Sequence, residues 1–274
     1  MTRDEQLEWE ARWSRPVAVA AMLAALLTLL SVPLFLPEDR EGIGATADFL
    51  LSIDDNSGTY VASAVVSALA ALLLIVVFLY LFRAVTARGP GVPRWFVHLV
   101  FGAPVAYAIS RIAYAIEVVD SADEFASGGP VRGDVGDDRA RDLLNASPVL
   151  GGLQIAGTVG VAFLFVMLPL RARRVGLLSQ FMGILGAIAG ALLVLPLAGV
   201  SPVVQAFWLG ALAILVLDKW PGGRGPAWES GEAEPWPSPA QRRAALAEPP
   251  ADTPPTPEEI PERPASRKRR RKRR

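Results

Sequence analysis

Cysteine is absent from this chain, and His98 is its only histidine. Disulfides, thiolate metal sites, iron–sulfur clusters and a haem held by two histidines are therefore excluded. Asp54-Asp55-Asn56-Ser57 contains acids, but not with the alternating ligand spacing of a calcium loop, and suits the start of a helix better. A phosphate-binding P-loop, a dinucleotide-binding glycine fingerprint, the HExxH zinc pattern and a nucleophile elbow are all missing as well. No cofactor, no metal and no enzymatic reaction is expected from these residues.

Charge is also scarce. Apolar residues make up 52% of the chain and charged residues only 20%, and the charges avoid long stretches. Segments 17–36, 61–83, 96–118, 149–170, 177–199 and 201–217 are apolar and almost uncharged. About 20 residues of helix match a hydrocarbon core roughly 30 Å thick. The expected fold is therefore all-α: a polytopic bundle of six transmembrane helices over 17–218. The first segment runs into Phe35-Leu36-Pro37-Glu38-Asp39 without a small-x-small cleavage site, so it is expected to be retained rather than removed as a signal peptide. The fifth and sixth segments are divided only by Gly199, Val200, Ser201 and Pro202, and the proline argues for a tight hairpin.

The formal net charge of zero hides a polarised molecule. With the N-terminus inside, Arg3, Arg12, Arg15, Arg83, Arg88, Arg94, Arg171, Arg173 and Arg174 all fall on the inner side, whereas the outer loops hold only Arg40, Arg132, Arg139 and Arg141. This asymmetry predicts a protein of the bacterial inner (plasma) membrane with both termini cytoplasmic. Acids show the reverse bias. Glu38, Asp39, Glu41, Asp48, Asp54, Asp55, Asp120, Asp123, Glu124, Asp134, Asp137, Asp138 and Asp142 crowd the two outer loops. They form either a solvated loop face or a cation-attracting vestibule.

The flanks differ from the bundle. Residues 1–16 are expected to form a short interfacial helix, with Thr2 and Glu5 as a capping box and Trp9 and Trp13 as headgroup anchors. Residues 219–274 are rich in proline and end in Arg267, Lys268, Arg269, Arg270, Arg271, Lys272, Arg273 and Arg274. Such a segment buries too little apolar surface to order itself, so a disordered cytoplasmic tail is expected. Its basic run suits anionic lipid head groups; specific nucleic-acid recognition is not expected without a folded reading element.

Chemistry concentrates in the third apolar segment. At 100° per residue, Tyr107, Ser110, Arg111, Tyr114 and Glu117 share about 120° of helix surface. Arg111 lies about 22 Å along the helix from Phe96, some 10 Å short of the outer end. A charge at that depth costs a few kcal/mol unless it is paired or reaches water. Gln154 and Gln205 begin their helices near the same level and are candidate partners, so these seven residues form a candidate intramembrane polar cluster, either a solute or proton pathway or a snorkelling arginine with polar glue. His98, on the opposite face, suits the interface. Small residues at four-residue spacing (Ser63, Ser67 and Ala71; Gly152, Ala156 and Gly160; Gly186 and Gly190) mark close helix approach, within the bundle or in a homo-oligomer.

Six helices, a polar third helix, Pro169-Leu170-Arg171-Ala172-Arg173-Arg174 leading into a glycine-rich helix, and Ser201-Pro202-Val203-Val204-Gln205-Ala206-Phe207-Trp208-Leu209 resemble an uncharacterised, actinobacterial-type family of six-helix integral membrane proteins. The resemblance covers roughly residues 15–220 and implies architecture without an activity. In that family the last helix carries an acidic or amide residue, and Gln205 stands here where a carboxylate is expected. The expected role is non-enzymatic: a small-solute or proton-coupled transporter, or a membrane-anchored interaction protein recruiting partners through its tail.

Overall fold

The computed structural model describes residues 2–32, 40, 43–89, 93, 95–144, 148–195, 200–221 and 223–236, without the side chains of 148–150. Among them every regular element is an α-helix: α1 (Arg3–Leu30), α2 (Ala45–Asp55), α3 (Ser57–Arg88), α4 (Phe96–Ser127), α5 (Gly133–Leu144), α6 (Pro148–Arg174), α7 (Gln180–Val194), α8 (Val200–Val216) and α9 (Pro226–Ser230). Four of these, α1, α3, α4 and α6, are long and apolar enough to cross a membrane; α7 and α8 are shorter apolar helices.

Local sequence explains the helix ends. Thr2 and Glu5 form the reciprocal capping box: Thr2 Oγ1 accepts from the Glu5 amide at 3.3 Å, and Glu5 Oε2 from the Thr2 amide at 2.7 Å. From this cap α1 runs without a break through Pro16 into the apolar segment, so residues 3–16 are one helix with it rather than a separate interfacial element. Ser179 caps α7 by accepting from the Met182 amide at 3.3 Å. Pro202 falls in the first turn of α8, where its missing N–H would be unpaired anyway. Asp218, in the left-handed conformation with φ 60°, ends the turn after α8.

α1 packs on α3 and α8, α3 on α4 and α6, α4 on α6, α6 on α7, and α7 on α8. In lipid the hydrophobic effect does not drive apolar helices together, so contact depends on close backbone approach. A Cβ on Gly186 would lie 2.6 Å from Pro169 Cγ, and one on Gly190 would lie 2.5 Å from the Ala162 carbonyl oxygen. Across α4 and α6 the same role falls to Gly157, where a Cβ would lie 2.7 Å from the Tyr107 backbone, and to Gly160, where one would lie 2.7 Å from Ala103 Cβ. Of the stripe expected on α6 only Gly160 is used: Gly152 meets nothing within 4 Å and Ala156 is exposed, and Gly157 takes the second place. Large aromatics fill the remaining space, with Phe165 edge-on to Phe78 at 5.0 Å and to Trp208 at 5.4 Å. The Trp208 indole donates to the Met182 carbonyl at 2.9 Å.

The described parts of the two segments expected as acidic loops are folded. α4 continues nine residues beyond position 118 to Ser127. At 32 residues it is about 48 Å long, well beyond a hydrocarbon core. α2 and α5 pack against this extension and enclose a second core of Leu50, Ile53, Tyr60, Val118, Phe125 and Ala140. The acids become joints of this cap. Asp137 on α5 accepts from the Thr46 and Ala47 amides at 2.9 and 3.1 Å, capping α2 from a distant part of the chain, and pairs with Arg141. Asp48 and Asp55 hold Arg40 at 3.0 and 2.7 Å. Arg139 donates to the Phe125 and Glu124 carbonyls at 3.0 and 2.8 Å, closing the C-terminus of α4. Asp54 and Asp55 finish α2 rather than start α3.

At the opposite end, residues 219–236 depart from the expectation of a disordered tail from 219. The described chain after α8 turns back, and α9 buries Ala227 and Trp228 against the bundle. Trp228 supplies the apolar area that the composition of the whole tail lacks, and its indole donates to the Leu177 carbonyl at 2.8 Å. The basic run Arg267–Arg274 lies outside the described residues.

Candidate functional site

The seven polar residues expected to form one cluster fall into two groups. Tyr107 and Gln205 line a common cavity of about 190 Å³, together with Thr28, Ser31, Ser67 and Ser201. It sits where the last turns of α1 meet the first turns of α8, walled by α3 and α4. Gln205 is buried and donates from Nε2 to Ser201 Oγ at 2.7 Å; its carbonyl oxygen and the Tyr107 hydroxyl take no partner among the described residues. At roughly 30 Å³ per water, the space holds on the order of six waters or one small solute. Its polar lining is hydroxyl and amide, with no formally charged side chain among the lining residues.

Ser110 stands on the same helix but turns inward, donating to the Tyr107 carbonyl at 2.9 Å. Arg111, Tyr114 and Glu117 lie further towards the cap. Tyr114 packs on the cap core, and both it and Tyr60 lie within electrostatic reach of Arg111. Arg111 is half-buried, and its Nε is enclosed without a hydrogen-bond partner. No ion pair joins it to Glu117 among the described residues, and neither Gln154 nor Gln205 bonds to it; Gln205 is committed to Ser201. Of the seven, the cavity thus takes only Tyr107 and Gln205, and Arg111 is left with Tyr114 towards the cap. His98 is exposed.

A second constellation has no local signal in the sequence. Glu10 on α1 and Arg88 at the end of α3 form a two-pronged ion pair, Oε1 to Nη1 at 2.5 Å and Oε2 to Nη2 at 2.8 Å, with side-chain exposures of 3% and 0%. The desolvation this entails is offset only because the remaining donors are also used. Arg88 Nε donates to the Ala227 carbonyl and Nη1 to the Ala84 carbonyl, both at 2.9 Å. Gln6 Nε2 donates to Glu10 Oε1 at 2.7 Å, and the Tyr80 hydroxyl donates to the Glu10 carbonyl at 3.2 Å. Trp228 stacks on Tyr80 at 5.6 Å and lies 5.4 Å from the Arg88 guanidinium carbon. One buried pair thus ties the start of α1, the end of α3 and the segment after α8. The partners are 78 residues apart, beyond the reach of any periodicity. The only hint was an arginine flanking an apolar segment and a glutamate beside two tryptophans.

Among the described residues no group of acids and histidine is arranged to hold a metal. In comparisons with known proteins, no family model matches the chain, and no curated protein or solved structure matches it.

Proposed function

We propose that this chain is an integral protein of a bacterial plasma membrane that crosses it six times, keeps both termini in the cytoplasm, and holds a small uncharged polar solute in the cavity between α1, α3, α4 and α8. The cavity carries the reading: Tyr107, Gln205, Ser201, Ser67, Thr28 and Ser31 present hydroxyls and amides where apolar side chains would otherwise close the bundle. A charged solute would meet no counter-ion there, so the ligand class is a neutral polyol or amide. Proton coupling through the cavity would lack a carboxylate.

Six crossings are supported by the way the apolar helices run. The start of α1, the end of α3 and the segment after α8 meet at Glu10, Arg88 and Ala227, while the end of α1 and the start of α8 meet at the cavity. At 15 and 17 residues, α7 and α8 span about 22 and 26 Å, a mismatch that local bilayer thinning accommodates. The lysine and arginine asymmetry supports the orientation, and the sequence resemblance supports the source. The tail from 237 onward, with Arg267–Arg274, is assigned to reversible attachment to anionic lipid, on sequence alone.

The test is solute entry into proteoliposomes, followed by light scattering with glycerol and urea as probes. Entry faster than into protein-free liposomes, slowed by Gln205→Leu and by Ser201→Leu, is expected. Entry no faster than in protein-free liposomes, together with no thermal stabilisation of the purified protein by either probe, would remove the proposal.

A further inference from the structure

We infer that the inner end of the bundle carries a site for one anionic glycerophospholipid, its phosphate on Arg83 and one acyl chain in a groove of α1, α3 and α4. The inference rests on the membrane reading above.

Two cavities meet at Arg83. One is an apolar groove of about 240 Å³ with Trp9, Trp13 and Val17 from α1 on one side, Phe101 from α4 on the other, and Val76 and Leu79 of α3 between them. The second is a polar cavity of about 460 Å³ at the end of the bundle, lined by Thr2, Arg3, Gln6, Thr86 and Glu232. Arg83 lines both. From Ile75 to Arg83 the groove follows α3 for about 12 Å, enough for the upper part of an acyl chain. An apolar channel ending at a cation and opening into a polar space has the amphipathic profile of a lipid.

Charge decides which lipid. Arg88 is consumed by Glu10, and Arg3 is paired with Glu232 at 3.0 Å. Arg83 is exposed, makes no ion pair or side-chain hydrogen bond among the described residues, and is held 5.0 Å over the Trp9 ring. That stacking orients the guanidinium without neutralising it. A bidentate fork at headgroup depth matches a phosphate. A zwitterionic lipid would bring its own ammonium into a cavity whose charged lining, Arg3, Arg83 and Glu232, is net positive, whereas a headgroup of hydroxyls meets Thr2, Thr86 and Gln6.

The experiment uses the full-length chain with Arg267–Arg274 replaced by serine, so that the tail does not compete. It is reconstituted in phosphatidylcholine vesicles with a fraction of either phosphatidylglycerol or phosphatidylcholine brominated on the acyl chain. Trp95, Trp220 and Trp236, exposed or partly exposed away from the groove, are replaced by phenylalanine in every sample, so that Trp9 and Trp13, which line it, report chain proximity through quenching. Brominated phosphatidylglycerol is expected to associate about fivefold more strongly than brominated phosphatidylcholine, the increment for one cation near an anionic lipid. Arg83→Gln brings that ratio close to one, and Arg83→Lys, which keeps the charge but loses the fork and the ring stacking, falls between the two. Val76→Phe, which narrows the groove and leaves Arg83 in place, weakens quenching by the anionic lipid. Equal quenching by the two lipids in the starting protein, or an unchanged ratio in Arg83→Gln, overturns the site while leaving the membrane reading intact. Absence of quenching by either lipid overturns both.

Discussion

Glu10 and Arg88 show how a charged pair persists in an apolar bundle: each oxygen and nitrogen that leaves water finds a partner, and the partners come from three parts of the chain. Breaking such a pair from one side strands the other charge, at a cost of about 3–5 kcal/mol, whereas replacing both members with apolar residues of similar size is far milder. Glu10→Leu and Arg88→Met should each lower the thermal unfolding midpoint in detergent, and the double variant should recover much of the loss; additive losses would place the stabilisation elsewhere. Arg111 and Glu117 are expected to behave in the opposite way. With no ion pair between them, the cycle of Arg111→Ala and Glu117→Ala should close to within about 0.5 kcal/mol. Arg111→Lys should fold like the parent, because a lysine stem also reaches the interface. A coupling well above that value in chemical unfolding would reveal a contact made only in the bilayer.

Packing of elements obeys two different rules in this chain. Within the bundle, α6, α7 and α8 approach closely enough that Gly186 and Gly190 have no room for a side chain. Gly186→Leu and Gly190→Leu should therefore cost about 1–3 kcal/mol or more. Gly152→Leu, on an open part of α6, should cost little. Equal thermal midpoints for all three would argue against the seam. Periodicity marked the α7 glycines and Gly160 correctly as close-approach residues but not Gly152 and Ala156, because only the neighbour decides which small residues are used. The cap is held instead by ordinary burial and by Asp137. Burial raises the pKa of its carboxyl, but the amides of Ala47 and Thr46 and the Arg141 guanidinium outweigh this and hold it below the usual 3.8. A depressed folded-state pKa means that the stabilisation is present above about 3.8 and is lost as pH falls through the lower value. Protection of the Thr46 and Ala47 amides, relative to their intrinsic exchange rates, should fall in that acid window, and Asp137→Asn should abolish this change in protection. An unchanged pH profile in that variant would show that the carboxylate is not the cap.

For the whole molecule, the proposed orientation puts the acid-rich cap outside and the latch of Glu10, Arg88 and Trp228 inside. Because the chain has no cysteine, single introduced cysteines report topology without background. Asp134→Cys, exposed on α5, should react with an impermeant reagent on intact cells, and Glu234→Cys, exposed beyond α9, only after lysis. Reaction of Glu234→Cys on intact cells would invert the orientation.

Sequence alone determined the helical class, the apolar segments and the capping box at Thr2 and Glu5. Each of these depends on composition or on neighbours within one or two turns, where hydropathy and hydrogen-bonding geometry act locally. It also singled out Tyr107 and Gln205, because polar residues are conspicuous in apolar helices. Only the tertiary structure decided that these two share a cavity while Arg111 does not, that the acidic loops fold into a cap, and that residues 219–236 return to the bundle. Those outcomes depend on pairs such as Asp137 with Ala47 and Arg88 with Glu10 and Ala227. A carboxylate's value depends on what stands opposite it across tens of residues of chain, and no local pattern carries that information.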